Sequence, residues 1–309
     1  MVAHLRHLSP HVKGFLIPGS TGDGWELTDR QTQRVVQVAL DQAERFGFML
    51  LIGILKPTGG AMLNDIEQTM QRISEWTGEA DSLAALKKAR VCGFTVCPPR
   101  GKDVSQEDIA RQLTGVLQTG LPVALYQLPQ VTKNEISPDT FRDLADQFHN
   151  LILFKDTSGS DRVSLSRKNL GGVFRLRGAE TDYAKWLDRS RNAYDGFLLS
   201  TANCFARELS QMIEHSRAGN RNAAQGISDR LSAIIIEAFQ LVSPIRSGNA
   251  FANANKAMDH LFAFGSRAVE TPPPRLHDGS SIPPEFIRGV AEILARHDLL
   301  PLNGYLDRT

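Results

Sequence analysis

The chain is poor in the residues that would announce a disulfide framework, a membrane or a polyanionic partner. Only three cysteines, Cys92, Cys97 and Cys204, occur in 309 residues. An odd count without C-x-x-C spacing excludes a disulfide framework and a zinc ribbon, and fits a reducing, cytoplasmic compartment. No long apolar run is present: FMLLIGIL at 48–55 is far too short to span a bilayer, and the first residues carry no signal-peptide pattern. Charge of one sign is lacking as well. With 35 basic and 34 acidic residues mixed along the chain, neither nucleic acid nor a membrane surface is an expected partner. His4, His7 and His11 fall at helical spacing, but no Cys or acidic residue stands beside them to complete a metal site. A solvated or interfacial helix face is expected there, and no metal.

What the sequence does contain is a succession of short apolar runs, each closed by a polar or glycine-rich turn and followed by a segment of helical period. They are GFLIP at 14–18, FMLLIGIL at 48–55, GFTVC at 93–97, PVALYQL at 122–128, LILFK at 151–155, VFRLR at 173–177 and GFLLS at 196–200. Strands alternating with helices predict a parallel sheet, and so many units at this interval predict a (β/α)₈ TIM barrel with one strand missing from the count. From about residue 205 only helical periodicity remains, near 206–217, 222–242, 250–264 and 284–296, with a Pro/Gly/Ser-rich loop at 270–284. The expected organisation is therefore a barrel over 1–204 and a C-terminal helical region over 205–309. The connection 56–90 is long enough for two helices where one would suffice. Its part 56–79 leaves a strand on the carboxyl face, where it would form a lid, an oligomer contact or a functionless surface elaboration.

Chemistry in a barrel lies at the carboxyl ends of the strands. Three features converge there. After GFLIP comes GSTGDGWELTDRQ, in which Gly19 and Gly22 bracket the hydroxyls of Ser20 and Thr21, ahead of a helix capped by Thr28 with Gln31. Backbone N–H groups in such a turn suit a small carboxylate, although a plain tight turn reads the same way. PVALYQL places Tyr126 at the end of another expected strand, and a phenol can donate or accept a proton. Lys155 ends LILFK, a run with no polar alternation. An edge lysine with its ammonium in water is the commoner meaning of such a position. Were it buried, desolvation would free an amine able to attack a ketone and form an imine.

The stretches GSTGDGWELT, LPVALYQLPQVTKNEISPDTFRDLA and NLILFKDTSGSD resemble, in order and spacing, motifs of the dihydrodipicolinate synthase and N-acetylneuraminate lyase superfamily. The resemblance extends through DGFLLSTANCFARELSQMI and so covers most of 14–217. It implies a Schiff base between a barrel lysine and pyruvate or another 2-oxo acid, with no cofactor, in a homo-oligomeric (dimeric or tetrameric) enzyme. By position Lys155 matches the imine-forming lysine, Tyr126 the proton-shuttling tyrosine, and Ser20 and Thr21 the pair handling carboxylate and proton relay. Gly19, Gly22 and Leu198 complete the implied substrate-binding set. The resemblance also implies that the chain starts inside the family's first helix, with GFLIP as second barrel strand. The gap is then expected to be filled by upstream sequence or by another segment.

Departures from the family pattern bear on the substrate. Val131 stands where synthases that condense aspartate semialdehyde have an arginine for the second carboxylate, Pro99 and Arg100 where a second tyrosine is expected, and Asp23 where glutamate is usual. The PPRGKD loop around Arg100 reads as an ordinary solvated turn. The expected activity is that of an aldolase-type lyase rather than a true dihydrodipicolinate synthase, with a keto-deoxy sugar-acid dehydratase as the alternative. A catalytically silent barrel that binds a small carboxylate is the reading from another class.

Overall fold

The computed structural model describes residues 1–166, 168–187 and 193–308. After a short helix α1 (Val2–Leu8), strands alternate with helices except between the fifth and sixth strands, where no helix occurs among the described residues. They run β1 (Gly14–Ile17), α2 (Asp29–Phe46), β2 (Met49–Ile54), α3 (Gly59–Thr77), α4 (Ser82–Lys88), β3 (Val91–Val96), α5 (Gln106–Leu117) and β4 (Val123–Gln127). Then follow α6 (Pro129–Thr132), α7 (Pro138–Gln147), β5 (Leu151–Asp156), β6 (Phe174–Arg177), α8 (Tyr183–Trp186) and β7 (Gly196–Phe197). The seven strands form one sheet in sequential order, every neighbouring pair parallel. All seven expected strands are present. The last is shorter than GFLLS predicts, because the backbone N–H of Ser200 is taken by the Glu180 carboxylate instead of a ladder carbonyl.

Successive strand residues face opposite sides of a sheet, and here both sides are dry. Leu50, Ile52, Phe94, Leu125 and Phe154 point outward into a core completed by Leu40, Ile66, Ile109, Leu113 and Phe141 of the helices. Leu51, Ala124 and Leu153 point inward, with Leu16, Leu176 and Leu198 beside them. This double burial is why LILFK shows no polar alternation. Helix α3 belongs to the same construction, since Met62, Ile66 and Ile73 are buried in the outer core. The expectation that 56–79 could be a surface elaboration is therefore corrected: the segment carries core residues.

Four helices follow: α9 (Ala202–Arg217), α10 (Arg221–Val242), α11 (Ala250–Phe264) and α12 (Pro284–Arg296). They enclose a second apolar core around Phe205, Met212, Leu231, Ile235, Met258 and Val290. Among the described residues, β1 and β7 each pair on one side only. No strand fills the gap there, but α1 packs against both α2 and α9, the helices that follow those two strands. His4 of α1 meets Asp259 of α11 (3.0 Å) and Asn203 of α9 (3.5 Å), and His7 stacks on Tyr305. Burial opposes the charged form of His4, yet the Asp259 hydrogen bond and charge outweigh it and raise its pKa. The histidine face is thus an interface between helices.

Candidate active site

Lys155 and Tyr126 are register partners on adjacent strands. Both side chains face inward, one layer above Ala124 and Leu153, at the carboxyl ends of β4 and β5. The Lys155 ammonium lies 4.1 Å from the centroid of the Tyr126 ring. Only 8% of Lys155 and 3% of Tyr126 is exposed, so the commoner reading of an edge lysine is excluded. Burial lowers the Lys155 pKa to about 8, against a smaller pull upward from Cys97 and Glu180. Near pH 7 about one-tenth of the amine is then free, compared with a few parts in ten thousand for an ordinary lysine. Burial also pushes the Tyr126 phenol up, as do Cys97 and the charge of Glu180, while hydrogen bonding with Ser20 and Thr157 opposes the rise. A phenol held neutral in this way is a proton donor at rest, and its phenolate is a strong base once the proton has left.

Ser20, Thr21 and Gly22 form a 3₁₀ turn directly after β1, closed by Asp23 in a left-handed conformation. Ser20 is buried and accepts a hydrogen bond from Trp25 Nε1 at 3.0 Å. Trp25, Leu55, Cys97, Leu128 and Val131 pack around Tyr126, which brings the Ser20 turn, the phenol and the lysine into one cluster. The turn folds on itself through Gly22 and Gly24 N–H groups that both donate to the Gly19 carbonyl at 3.0 Å. Thr21 is half-buried, and its hydroxyl makes no hydrogen bond among the described residues.

Leu198 enters from β7. Its N–H donates to Arg177 at 2.9 Å, and its carbonyl lies beside Gly178, where an added Cβ would stand 3.2 Å from it and 2.8 Å from Lys155 Cε. Only a residue without a side chain leaves the lysine its place. Gly178 and Glu180 are site residues that the sequence reading missed. The Glu180 carboxylate accepts from Ser200 Oγ (2.6 Å), Thr201 Oγ1 (2.7 Å), Tyr183 Oη (2.8 Å) and the N–H groups of Ser200 and Thr201. It fixes the chain after β7 and keeps a negative charge near the lysine.

Behind the lysine, Asp156 is fully buried and holds Ser158 Oγ at 2.6 Å. Its carboxyl is raised, chiefly by burial. Tyr194 Oη reaches Asp161 at 2.5 Å, and Arg177 pairs with Asp161 at 3.0 Å while lying over the Trp186 ring.

A cavity of about 500 Å³ opens beside this cluster. Trp25, Glu26, Lys56, Arg100, Gln130 and Val131 line it, whereas Lys155 and Tyr126 do not; Trp25, Leu55 and Val131 both line the cavity and pack against Tyr126. Lys56 is paired with Asp29 (3.0 Å) and Asp65 (3.2 Å). Arg100 is exposed, as a solvated turn requires, yet its loop is braced. Its N–H donates to Pro57 at 2.9 Å, and Asn134 Nδ2 holds the Pro99 and Gly101 carbonyls at 2.7 and 2.8 Å.

Seven sequential parallel strands, with helices in all but one of the connections between them among the described residues and a buried lysine at the carboxyl rim, define a TIM-type barrel of the class that builds its sites on strand ends. The chain belongs to the dihydrodipicolinate synthetase family, whose pattern matches residues 6–253. A 4-hydroxy-tetrahydrodipicolinate synthase of Buchnera aphidicola (subspecies Cinara cedri) is 25% identical over 244 residues, 77% of this chain and 74% of that protein. The enzyme of that name from Aquifex aeolicus is also 25% identical, over 242 residues, 77% of this chain and 75% of its own. Among solved structures, a prophage protein of the family from Escherichia coli, in complex with pyruvate, superposes with a TM-score of 0.75 at 21% identity, covering 96% of this chain and 91% of that one. Dihydrodipicolinate synthase from Aquifex aeolicus gives 0.69 at 21% identity, covering 98% and 94%. Both structural likenesses establish the fold. No described helix is long and apolar enough to cross a membrane.

Proposed function

We propose that the protein is a lyase that acts on pyruvate or another 2-oxo acid through a Schiff base on Lys155, as a homo-oligomer in the cytoplasm. The observation that carries this reading is the buried amine of Lys155, with its lowered pKa, set against the neutral phenol of Tyr126. The amine attacks the carbonyl carbon to give a carbinolamine. The phenol proton leaves with the hydroxyl as water, and an iminium ion remains. The phenolate then takes a proton from the neighbouring carbon, which yields a neutral enamine and restores the phenol. Ser20 and Thr21 hold the carboxylate through hydroxyl and backbone N–H groups in the turn that Gly19 and Gly22 shape, where the Gly22 N–H already donates to the Gly19 carbonyl, and Leu198 bounds the site opposite. The enamine can support aldol cleavage, aldol addition or dehydration.

Val131 favours a partner other than aspartate semialdehyde. An arginine meets a carboxylate with two hydrogen bonds, and valine offers none. Loss of such a contact costs about 1.5–3 kcal/mol, or roughly ten- to a hundredfold in binding. The mixed lining of Glu26, Lys56, Arg100 and Gln130 supplies donors and acceptors for a hydroxylated aldehyde or sugar-derived 2-oxo acid. The test is kcat/KM across a panel of acceptors, with the expected order placing uncharged hydroxylated substrates above aspartate semialdehyde. Efficient condensation of aspartate semialdehyde that survives Arg100→Ala would overturn the substrate reading. Loss of that condensation in Arg100→Ala alone would move the anion clamp to Arg100.

A further inference from the structure

Among the described residues, the two edge strands of the sheet, β1 and β7, both end at the site. The Ser20–Gly22 turn leaves β1, and the Leu198–Ser200 segment leaves β7. One helix of the C-terminal region touches both. Asn255 of α11 donates to Ser200 Oγ at 3.3 Å and accepts from Cys204 Sγ at 3.5 Å; Ser200 in turn donates to Glu180. The next residue, Lys256, forms an ion pair with Asp23. Asp23 is 7% exposed, and its second oxygen, Oδ1, is buried without a hydrogen-bond partner among the described residues.

A buried carboxylate at this point opposes the chemistry of its surroundings. Asp23 immediately follows the turn that, on the reading above, receives the substrate carboxylate, and like charges at close range repel in a poorly solvated site. Its negative charge is felt nearby: burial first, then Asp23, raises the Glu26 carboxyl, against smaller opposing effects of His277 and Lys256. Lys256 is the cation paired with that charge, and its attachment to α11 makes the neutralisation depend on the docking of the helix.

We infer that Lys256 is a positioning residue which, held on α11, neutralises Asp23 beside the carboxylate-binding turn, thereby setting the affinity for the 2-oxo acid. The inference rests on the proposed Schiff-base function. Lys256 takes no part in bond making, so its removal acts on binding more than on turnover.

The experiment measures the rate of borohydride-trapped adduct formation against pyruvate concentration for the full chain and four variants. Lys256→Met should raise the half-saturating concentration about tenfold, the low end of what loss of a charge-assisted contact costs, with the maximal rate little changed. Lys256→Arg should restore wild-type affinity. Asp23→Asn should tighten binding, because the cation is then left for the substrate. Asp23→Asn/Lys256→Met should return close to wild type, which a merely structural loss of the contact would not do. Unchanged half-saturation in Lys256→Met, weaker binding in Asp23→Asn, or a double variant as poor as Lys256→Met would each overturn the inference. If Lys256→Met does not fold, the sign of the Asp23→Asn effect decides. A wild-type chain that forms no adduct would overturn the Schiff-base reading itself, a separate outcome that removes this inference with it.

Discussion

Gly178→Ala perturbs the site by one methyl group. No left-handed conformation is required at Gly178, so alanine is tolerated by the backbone and crowding alone is tested. The new Cβ would stand 2.4 Å from Thr157 Cγ2, 2.8 Å from Lys155 Cε and 3.2 Å from the Leu198 carbonyl oxygen. Carbon atoms rest about 3.5–4.0 Å apart, so about 1 Å of movement is needed. Thr157 resists it, because its hydroxyl is bound to the Gln127 carbonyl at 2.5 Å, so the strain falls on the backbone at 178 and on the unbranched lysine stem, which is displaced. A misplacement of about 1 Å in a reacting group costs on the order of a hundredfold in rate, equivalent to about 2.7 kcal/mol of transition-state stabilisation. Overpacking adds about 1–3 kcal/mol of destabilisation, which lowers Tm by a few degrees in a chain of this size. Both effects are read in one preparation, kcat/KM with the preferred 2-oxo acid and Tm by calorimetry. A variant with wild-type kcat/KM and Tm would refute the placement of Lys155 against Gly178.

The pH dependence of imine trapping follows from the Lys155 amine. Burial disfavours the ammonium and places the pKa at about 8, so the trapping rate at subsaturating pyruvate should rise almost tenfold per pH unit below that value and level off above it; a midpoint near that of a free lysine would contradict the burial. Arg177→Met should lower stability by about 3–5 kcal/mol, since it strands Asp161 as a buried unpaired charge; the two side chains are only 6% and 4% exposed. Urea unfolding measures it, and Arg177→Met/Asp161→Leu should recover most of the loss.

The strands were legible because a sheet covered on both faces writes itself as unbroken apolar runs, and each run ends where the chemistry lies. Lys155 and Tyr126 could be read as neighbours because each falls near the carboxyl end of such a run. Gly178 could not, since a glycine whose value is the space it leaves for a lysine on the next strand has no local signature. Glu180 was hidden for a related reason: its partners lie between Tyr183 and Thr201, and nothing in RGAETDY announces that they converge. The Lys256–Asp23 pair joins residues 233 positions apart, where sequence shows only a lysine on a helix. Helix α3 is a different case. Met62, Ile66, Met70 and Ile73 trace an apolar stripe at helical spacing, a signal of burial that the sequence does contain.

Mass spectrometry after incubation with pyruvate and borohydride tests the central claim most directly. One reduced adduct per chain, located on Lys155 and absent from Lys155→Ala, is the predicted result; an unmodified chain, or an adduct carried by another lysine, would contradict the account.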